Sequence, residues 1–297
     1  MTVDCHPALA GDPTPPNWAE LELEATWADE LNLARPTGLW RFLRSVLGKP
    51  KAVQIDRSHP MIQGIPKYAL QEFHNLPNGN YSSRIAHGYI TGFDRAMLGT
   101  MGAVREAMAR QVAGAGAVLD LGTAGGKLAA AVSGAGVEDV WGADVSPYLL
   151  KHAASRHPQV RFIQAPAESL PFAAGRFGAV VVSFLFHEMP PKYIRQALAE
   201  IHRVLRPGGQ LLVAEPSALQ LAPVAGKQLL SAEGWRHLYF RALAKRAHEP
   251  FVMAWHRLDK AALFSEAGFE LSDHQDRIPI NLYSLKKRSA APGDVVA

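Results

Sequence analysis

The stretch Val118-Leu119-Asp120-Leu121-Gly122-Thr123-Ala124-Gly125-Gly126-Lys127 decides how the rest of the chain is read. A short apolar run, Ala117 to Leu121, enters a loop of three glycines, and an Ala-rich helical pattern begins at Leu128. The spacing predicts a strand, a tight turn and a helix start. Glycine removes Cβ where a backbone must turn sharply or admit a ligand closely. The helix behind the loop offers backbone N–H groups that its own turns leave unpaired.

Asp120 narrows the ligand. A carboxylate two residues before the first glycine repels a dinucleotide's pyrophosphate and attracts a cation. S-adenosylmethionine, with an ammonium, a sulfonium and no phosphate, fits that demand. The stretch resembles motif I of the class I (Rossmann-like) S-adenosylmethionine-dependent methyltransferases, Asp/Glu-x-Gly-x-Gly-x-Gly, except that Ala124 stands at the usual middle glycine. With an extra methyl there, cofactor binding is expected only if φ at Ala124 is negative.

Downstream the pattern alternates. Val140–Asp144, Val160–Gln164, Gly178–Phe184 and Gln210–Glu215 read as strands. Tyr148–Arg156, opened by Pro147, and Lys192–Leu205 read as helices, with Arg206-Pro207-Gly208-Gly209 as the turn ending the latter. Asp259 caps Lys260–Ala267, Gly268 stops it, and Phe269–Asp273 and Ile278–Leu285 form a closing hairpin with one antiparallel strand. Such βαβα alternation predicts an α/β, doubly wound, mostly parallel seven-stranded sheet with helices on both faces. An N-terminal helical extension and a helical insertion after the fifth strand complete it. The expected domains are a disordered 1–16, a helical extension or lid over 17–110, a cofactor-binding domain over 111–285 with the insertion at 216–257, and a tail over 286–297. The basic run Lys286-Lys287-Arg288 reads as a solvated chain end.

Within the extension, Asn17 and Glu20 suggest a capped helix over Trp18–Leu33, which Pro36 and Gly38 break, and Leu39–Leu47 a second amphipathic stretch. Residues 51–83 mix short apolar runs with turn formers such as Asn75-Leu76-Pro77-Asn78-Gly79-Asn80. From Arg84 to Arg110 apolar residues recur every three or four positions through Ile85, Tyr89, Phe93, Met97, Met101, Val104 and Met108. Four glycines interrupt this stripe, with a break expected near Gly99. Each glycine costs about 1 kcal/mol against Ala in a helix. A lid gains mobility from them, with Tyr81, Arg84 or Tyr89 facing the cofactor's methionine end. A plain packing helix is the other reading.

In doubly wound sheets ligands lie across the carboxyl ends of the strands. Asp144 ends the second strand, where a carboxylate suits both ribose hydroxyls, and Val145 follows on the adenine side. The segment Ala165-Pro166-Ala167-Glu168-Ser169-Leu170-Pro171-Phe172 is similar to the family's Gly-Asp-Ala-Glu-x-Leu-Pro-Phe. Pro166 replaces the Asp that receives the adenine amino group, leaving backbone near Ala167, or Glu168, for that role. Ser183-Phe184-Leu185-Phe186-His187-Glu188 resembles motif IV of the small-molecule methyltransferases (type 11-like). The resemblance implies His187 at the reacting centre, either as a general base or as a buried residue that shapes the pocket. It implies further cofactor contacts from Gly122, Thr123, Gly126, Ser183 and Phe184. The resemblance spans roughly 115–285.

The expected activity is transfer of a methyl group from S-adenosylmethionine to an O, N or C atom of a small acceptor, leaving S-adenosylhomocysteine. The aromatics Trp18, Trp40, Tyr68, Phe73, Tyr89, Trp235, Tyr239, Phe240 and Trp255 favour an apolar or aromatic acceptor. A nicotinamide-dependent oxidoreductase and a non-catalytic protein of the same fold are the alternatives.

Composition narrows the class. At 297 residues with 48% hydrophobic and 20% charged residues, the chain has ample core capacity, and its net charge of +4 is interspersed. No nucleic-acid surface is expected. One cysteine, Cys5, precludes an intrachain disulfide and a thiolate zinc site. His187-Glu188 lacks a second His four residues on, so no metal ligands are assigned. With no leader-like segment and no membrane-length apolar run, a cytoplasmic monomer or homodimer acting on a small molecule is expected.

Overall fold

The computed structural model describes residues 11–49, 51–224 and 226–288. Helices α1 (Pro36–Leu47), α2 (Pro60–Gln63), α3 (Ser83–Ala96) and α4 (Thr100–Val112) precede the sheet. Then come β1 (Ala117–Leu121), α5 (Lys127–Gly134), β2 (Asp139–Asp144), α6 (Pro147–Arg156), β3 (Arg161–Gln164), β4 (Phe177–Ser183), α7 (Pro191–Val204) and β5 (Leu205–Pro216). The chain continues through α8 (Ala232–Arg246), α9 (Val252–Arg257) and α10 (Lys260–Glu266) into β6 (Phe269–Arg277) and β7 (Ile280–Lys287).

The seven strands lie in the order β3-β2-β1-β4-β5-β7-β6. The first five pair in parallel, while β7 pairs antiparallel with both β5 and β6. Successive side chains alternate faces, and the central strands are apolar on both. Leu119, Trp141, Val180 and Leu211 pack with Ile194, Leu198 and Ile201 of α7 and Phe264 of α10. Their neighbours Val118, Val140, Val181 and Leu212 pack on the other face with Met108 of α4, Leu128 of α5, Leu150 of α6 and Phe240 of α8. The expected doubly wound sheet with helices on both faces is therefore present. Strand order reverses between β1 and β4, and a third cluster (Val53, Ile62, Leu70, Tyr81, Ile90 and Leu149) roofs that end of the sheet.

Three expectations for the N-terminal extension need correction. Trp18–Leu33 is not a helix but a strap of short turns. Its polar groups bond elsewhere: Trp18 Nε1 donates to Phe162 O at 2.8 Å, Lys151 Nζ to Leu21 O at 2.6 Å and Tyr148 Oη to Glu24 O at 2.7 Å. Pro36 starts α1 instead of breaking a helix, because its ring suits the first turn. Of the stretch expected to be disordered, residues 1–10 lie outside the described residues, and Asp12 forms a two-point pair with Arg176 at 2.6 and 2.7 Å.

The break near Gly99 is present. Gly99 adopts φ 73° between α3 and α4. Asp259 caps α10 by accepting from Ala262 N. Arg206–Gly209 bulges between Leu205, opposite Phe177, and Gln210, opposite Ala179. β7 runs to Lys287, whose Nζ donates to His202 O and Leu205 O, so within the basic run Lys287 is tied to the fold while Lys286 and Arg288 are exposed. Residues 289–297 lie outside the described residues.

Candidate functional site

The cleft opens at the carboxyl ends of β1, β2 and β4, where the strand order reverses. Its cavity volume is about 130 Å³, below the ~300–1,000 Å³ usual for small-molecule sites. Asp120 is buried on β1. Its Oδ2 accepts from Thr123 Oγ1 at 2.7 Å and from Ala129 N, in the first turn of α5, at 3.0 Å. Asp144, at the end of β2, accepts from Ala124 N through Oδ2 and from Ser146 N through Oδ1, both at 2.9 Å. Burial pushes the Asp120 carboxyl up to about 7, and it raises Asp144 and Glu188 as well. The cleft thus gathers three carboxylates whose ionised forms are poorly solvated.

The loop between β1 and α5 wraps this charge. Gly122 (φ 73°) donates to Ala143 O at 2.9 Å. Ala124 adopts φ 46°, contrary to the negative value expected for a compatible Ala. An L-residue in this left-handed region costs about 1–2 kcal/mol. The strain directs its N–H to Asp144. Gly125 lies under the roof, where an added Cβ would stand 2.5 Å from Ile90 Cγ2. Gly126 does not line the cleft; it starts α5 at φ 74°, and its missing Cβ makes room for Phe162.

Thr123, Val145, Ser183 and Phe184 line the cleft as expected. Phe184 holds φ 59°, an uncommon state for a bulky residue, with its N–H on Ala214 O at 2.8 Å. A connected apolar compartment is lined by Tyr68, Phe73, Val145, Ala165, Ala167 and Leu185. Ala167 is placed there. Glu168 is not, because its carboxyl is buried beside the Tyr68 hydroxyl, and burial raises it. Tyr81 and Tyr89 reach the cleft, whereas Arg84 is exposed and turns to Leu31 O, with its N–H on Asp29.

His187 occupies a single 3₁₀ turn and is fully buried behind the ring of Phe184, 5.6 Å away edge-on. Its Nδ1 is 2.7 Å from Glu215 Oε2 on β5. Burial alone lowers an imidazole, but the Glu215 charge and hydrogen bond outweigh it and raise His187 to about 9. A ring held protonated and walled off by Phe184 is not a general base for the cleft. The other reading of His187, a buried group that shapes the pocket, fits this placement.

Several lining residues carried no signal in the sequence. Asn80 Oδ1 is buried without a partner at the cleft. Asp94 of α3 binds Arg105 of α4 (3.2 Å from Nη1) and Lys127 of α5 (2.7 Å), tying the roof to the glycine loop with two cations at the rim. Of the aromatics read as acceptor-binding, Trp40 and Trp235 are exposed, and Trp18, Phe240 and Trp255 are core. Tyr68, Phe73 and Tyr89 remain at the cleft.

Comparison with known proteins places this geometry. Residues 118–209 match the family model described as a methyltransferase domain. A methyltransferase of Synechocystis sp. described as uncharacterized is 40% identical over 92 residues, covering 31% of this chain and 43% of that protein. Demethylmenaquinone methyltransferase of Beutenbergia cavernae is 40% identical over 106 residues, covering 36% and 43%. The chain thus spans less than half the length of these relatives. An S-adenosylmethionine-dependent methyltransferase structure from Mesorhizobium loti aligns at 20% identity with a TM-score of 0.42, over 57% of this chain and 90% of that one. Among the described residues no helix is long and apolar enough to cross a membrane.

Proposed function

We propose that this chain, whose residues 118–209 match a methyltransferase domain, is a class I S-adenosylmethionine-dependent methyltransferase that binds that cofactor in the cleft and transfers its methyl group to a small, apolar or aromatic acceptor. The observation that carries this reading is the crowding of Asp120, Asp144 and Glu188 in one largely buried cleft. A cationic ligand relieves the desolvation that raises all three, whereas a pyrophosphate worsens it. The same point weighs against the nicotinamide alternative.

When bound, S-adenosylmethionine supplies a methyl group already activated on a sulfonium. The chain's residues bind, orient and exclude water. Asp144 retains lone pairs for ribose hydroxyls while its backbone bonds hold it still. The compartment between Tyr68, Phe73, Val145 and Ala167 suits a planar base, whose edge meets backbone groups because Pro166 offers no carboxylate. Asp120 faces the ammonium, and Arg105 and Lys127 at the rim suit the cofactor's carboxylate. Tyr89, Phe93, Phe184 and Glu188 frame the remaining space, where holding an acceptor at near-attack distance lowers a barrier by up to ~7–11 kcal/mol.

Calorimetric titration with S-adenosylhomocysteine tests the cofactor half of this reading, and a saturable, one-to-one exotherm is expected. A panel of hydroxylated, amino and quinol-type aromatics with isotope-labelled donor tests the acceptor half. The relatives named demethylmenaquinone methyltransferases make quinol rings the first to try. Absence of any heat of binding by a folded sample would reject the proposal.

A further inference from the structure

Behind the cleft wall, three distant segments bring imidazole and carboxylate groups to one point. We propose that His74, His187 and Glu249, completed by Glu188, form a site for one divalent transition-metal ion of the zinc class. Among the described residues these three side chains place one ligand atom each within 4.8 Å of one another.

The spacing argues for an ion at the centre. His74 Nε2 lies 3.3 Å from Glu188 Oε1 and 3.5 Å from Glu249 Oε1, and His187 Nε2 lies 3.8 Å from that same Glu249 oxygen. Direct charge-assisted N–H···O bonds close to about 2.7–2.9 Å. Four ligands held about 2.0–2.1 Å from a tetrahedral ion stand about 3.3–3.4 Å apart. The three separations, 3.3, 3.5 and 3.8 Å, are all longer than direct bonds and run from the second value upward.

His187 is built as a ligand. Its side chain is 1% exposed, and Nε2 is buried with no hydrogen-bond partner. Nδ1 is held on Glu215 Oε2, and Glu215 is itself fixed by the N–H groups of Leu185 (2.9 Å) and Phe186 (2.7 Å). A carboxylate that accepts the Nδ1–H hydrogen bond turns Nε2 into the cluster, where an ion can replace its proton, the arrangement that orients metal-bound histidines. His74 is oriented too. Its ring stacks on Tyr89 at 5.4 Å, and its backbone N–H donates to His248 O at 3.0 Å.

Charge and ligand type agree. In the metal-free protein the His187 proton offsets part of the charge of Glu188, Glu215 and Glu249, and a divalent ion takes over that role when the imidazoles bind it as neutral ligands. A mixed imidazole and carboxylate set suits zinc better than magnesium or calcium, which take oxygen ligands. With four protein ligands the site is closed and structural. It joins the N-terminal extension (His74), the turn after β4 (His187, Glu188) and the segment between α8 and α9 (Glu249), and so sets the acceptor side of the cleft. Glu188 belongs to both sites, but the ion does not require the cofactor to bind, so the two readings are tested separately.

The test uses the full chain, stripped with a chelator and titrated with Co²⁺ as a spectroscopic substitute. One ion per chain should bind with the visible bands of four-coordinate cobalt, Zn²⁺ should displace it, and Zn²⁺ should raise the melting temperature. His74→Ala and Glu249→Gln should each abolish the bands, and Glu215→Gln should weaken uptake 10- to 100-fold. S-adenosylhomocysteine binding, measured in parallel, reports the methyltransferase reading independently. If the wild-type chain melts cooperatively yet takes up neither Co²⁺ nor Zn²⁺ stoichiometrically, the cluster is an ion-pair network of protonated histidines and the proposal falls. Uptake that survives both His74→Ala and Glu249→Gln overturns it as well.

Discussion

The backbone N–H of Ala124 donates to Oδ2 of Asp144 at 2.9 Å, and Ala124 adopts φ 46° to do so. One hydrogen bond thereby couples the strain of the glycine loop to the carboxylate at the end of β2. The energetic consequences at the two residues differ in sign.

At Asp144, replacement by Ala removes the acceptor for Ala124 N and for the ribose hydroxyls of the proposed cofactor. The expected loss in S-adenosylhomocysteine affinity is ~1.5–3 kcal/mol, the scale of hydrogen bonds to a charged group. Calorimetry that returned an unchanged Kd would remove Asp144 from the site.

At Ala124 the opposite change helps. Ala124→Gly relieves a left-handed alanine and should raise unfolding free energy by about 1 kcal/mol, less some backbone entropy. Urea denaturation reads this as a higher midpoint at constant slope. Cofactor affinity should stay within about tenfold, equivalent to ~1.4 kcal/mol.

Asp120 gives binding a pH dependence. Its carboxyl, raised to about 7 by burial, is protonated below that pH in the free protein. A cationic ligand requires the ionised form, so binding must expel a proton at low pH and affinity should rise as pH climbs through about 7. For folding the sign is reversed. The raised carboxyl contributes stability that is complete below its unfolded value of 3.8 and lost as pH rises to about 7. Titrations from pH 5.5 to 8 should show both trends, and Asp120→Asn should flatten them.

Gly125 and Ile90 form the contact between loop and roof. A Cβ at 125 would stand 2.5 Å from Ile90 Cγ2, so Gly125→Ala should lift α3 and cost about 1–3 kcal/mol. Adding Ile90→Ala should recover part of that cost, a coupling that a double-mutant cycle measures. If α3 is the lid, amides of residues 81–95 in wild-type protein should gain hydrogen-exchange protection on adding S-adenosylhomocysteine. In Gly125→Ala that gain should shrink. Equal protection with and without ligand would reduce α3 to a packing helix.

The sheet and the polar strand ends were legible because their signals are local. Val180-Val181-Val182 must be buried on both faces, and Asp120 and Asp144 end apolar runs. The α3–α4 joint was legible from Gly99. What escaped depends on partners far along the chain. The 18–33 strap spends its carbonyls on Lys151 and Tyr148, which no periodicity within the strap reveals. Glu168 lies off the cleft because Tyr68 lies beside it, and the sequence left both readings of His187 open because only the fold shows Phe184, in a strained backbone state, between it and the cleft. The cluster around His74 and Glu249 has no spacing motif, since its four side chains come from three separate segments.

The position of β7 carries a consequence for how the chain is made. β7 lies between β5 and β6, although it is the last strand among the described residues. During synthesis β6 therefore has no neighbour to join, and one edge of β5 stays open, until residues 280–287 have left the ribosome. A nascent chain halted before Ile280 presents the apolar edge residues Leu211, Leu212 and Val213 to whatever lies nearby, and chaperone capture should concentrate in that interval.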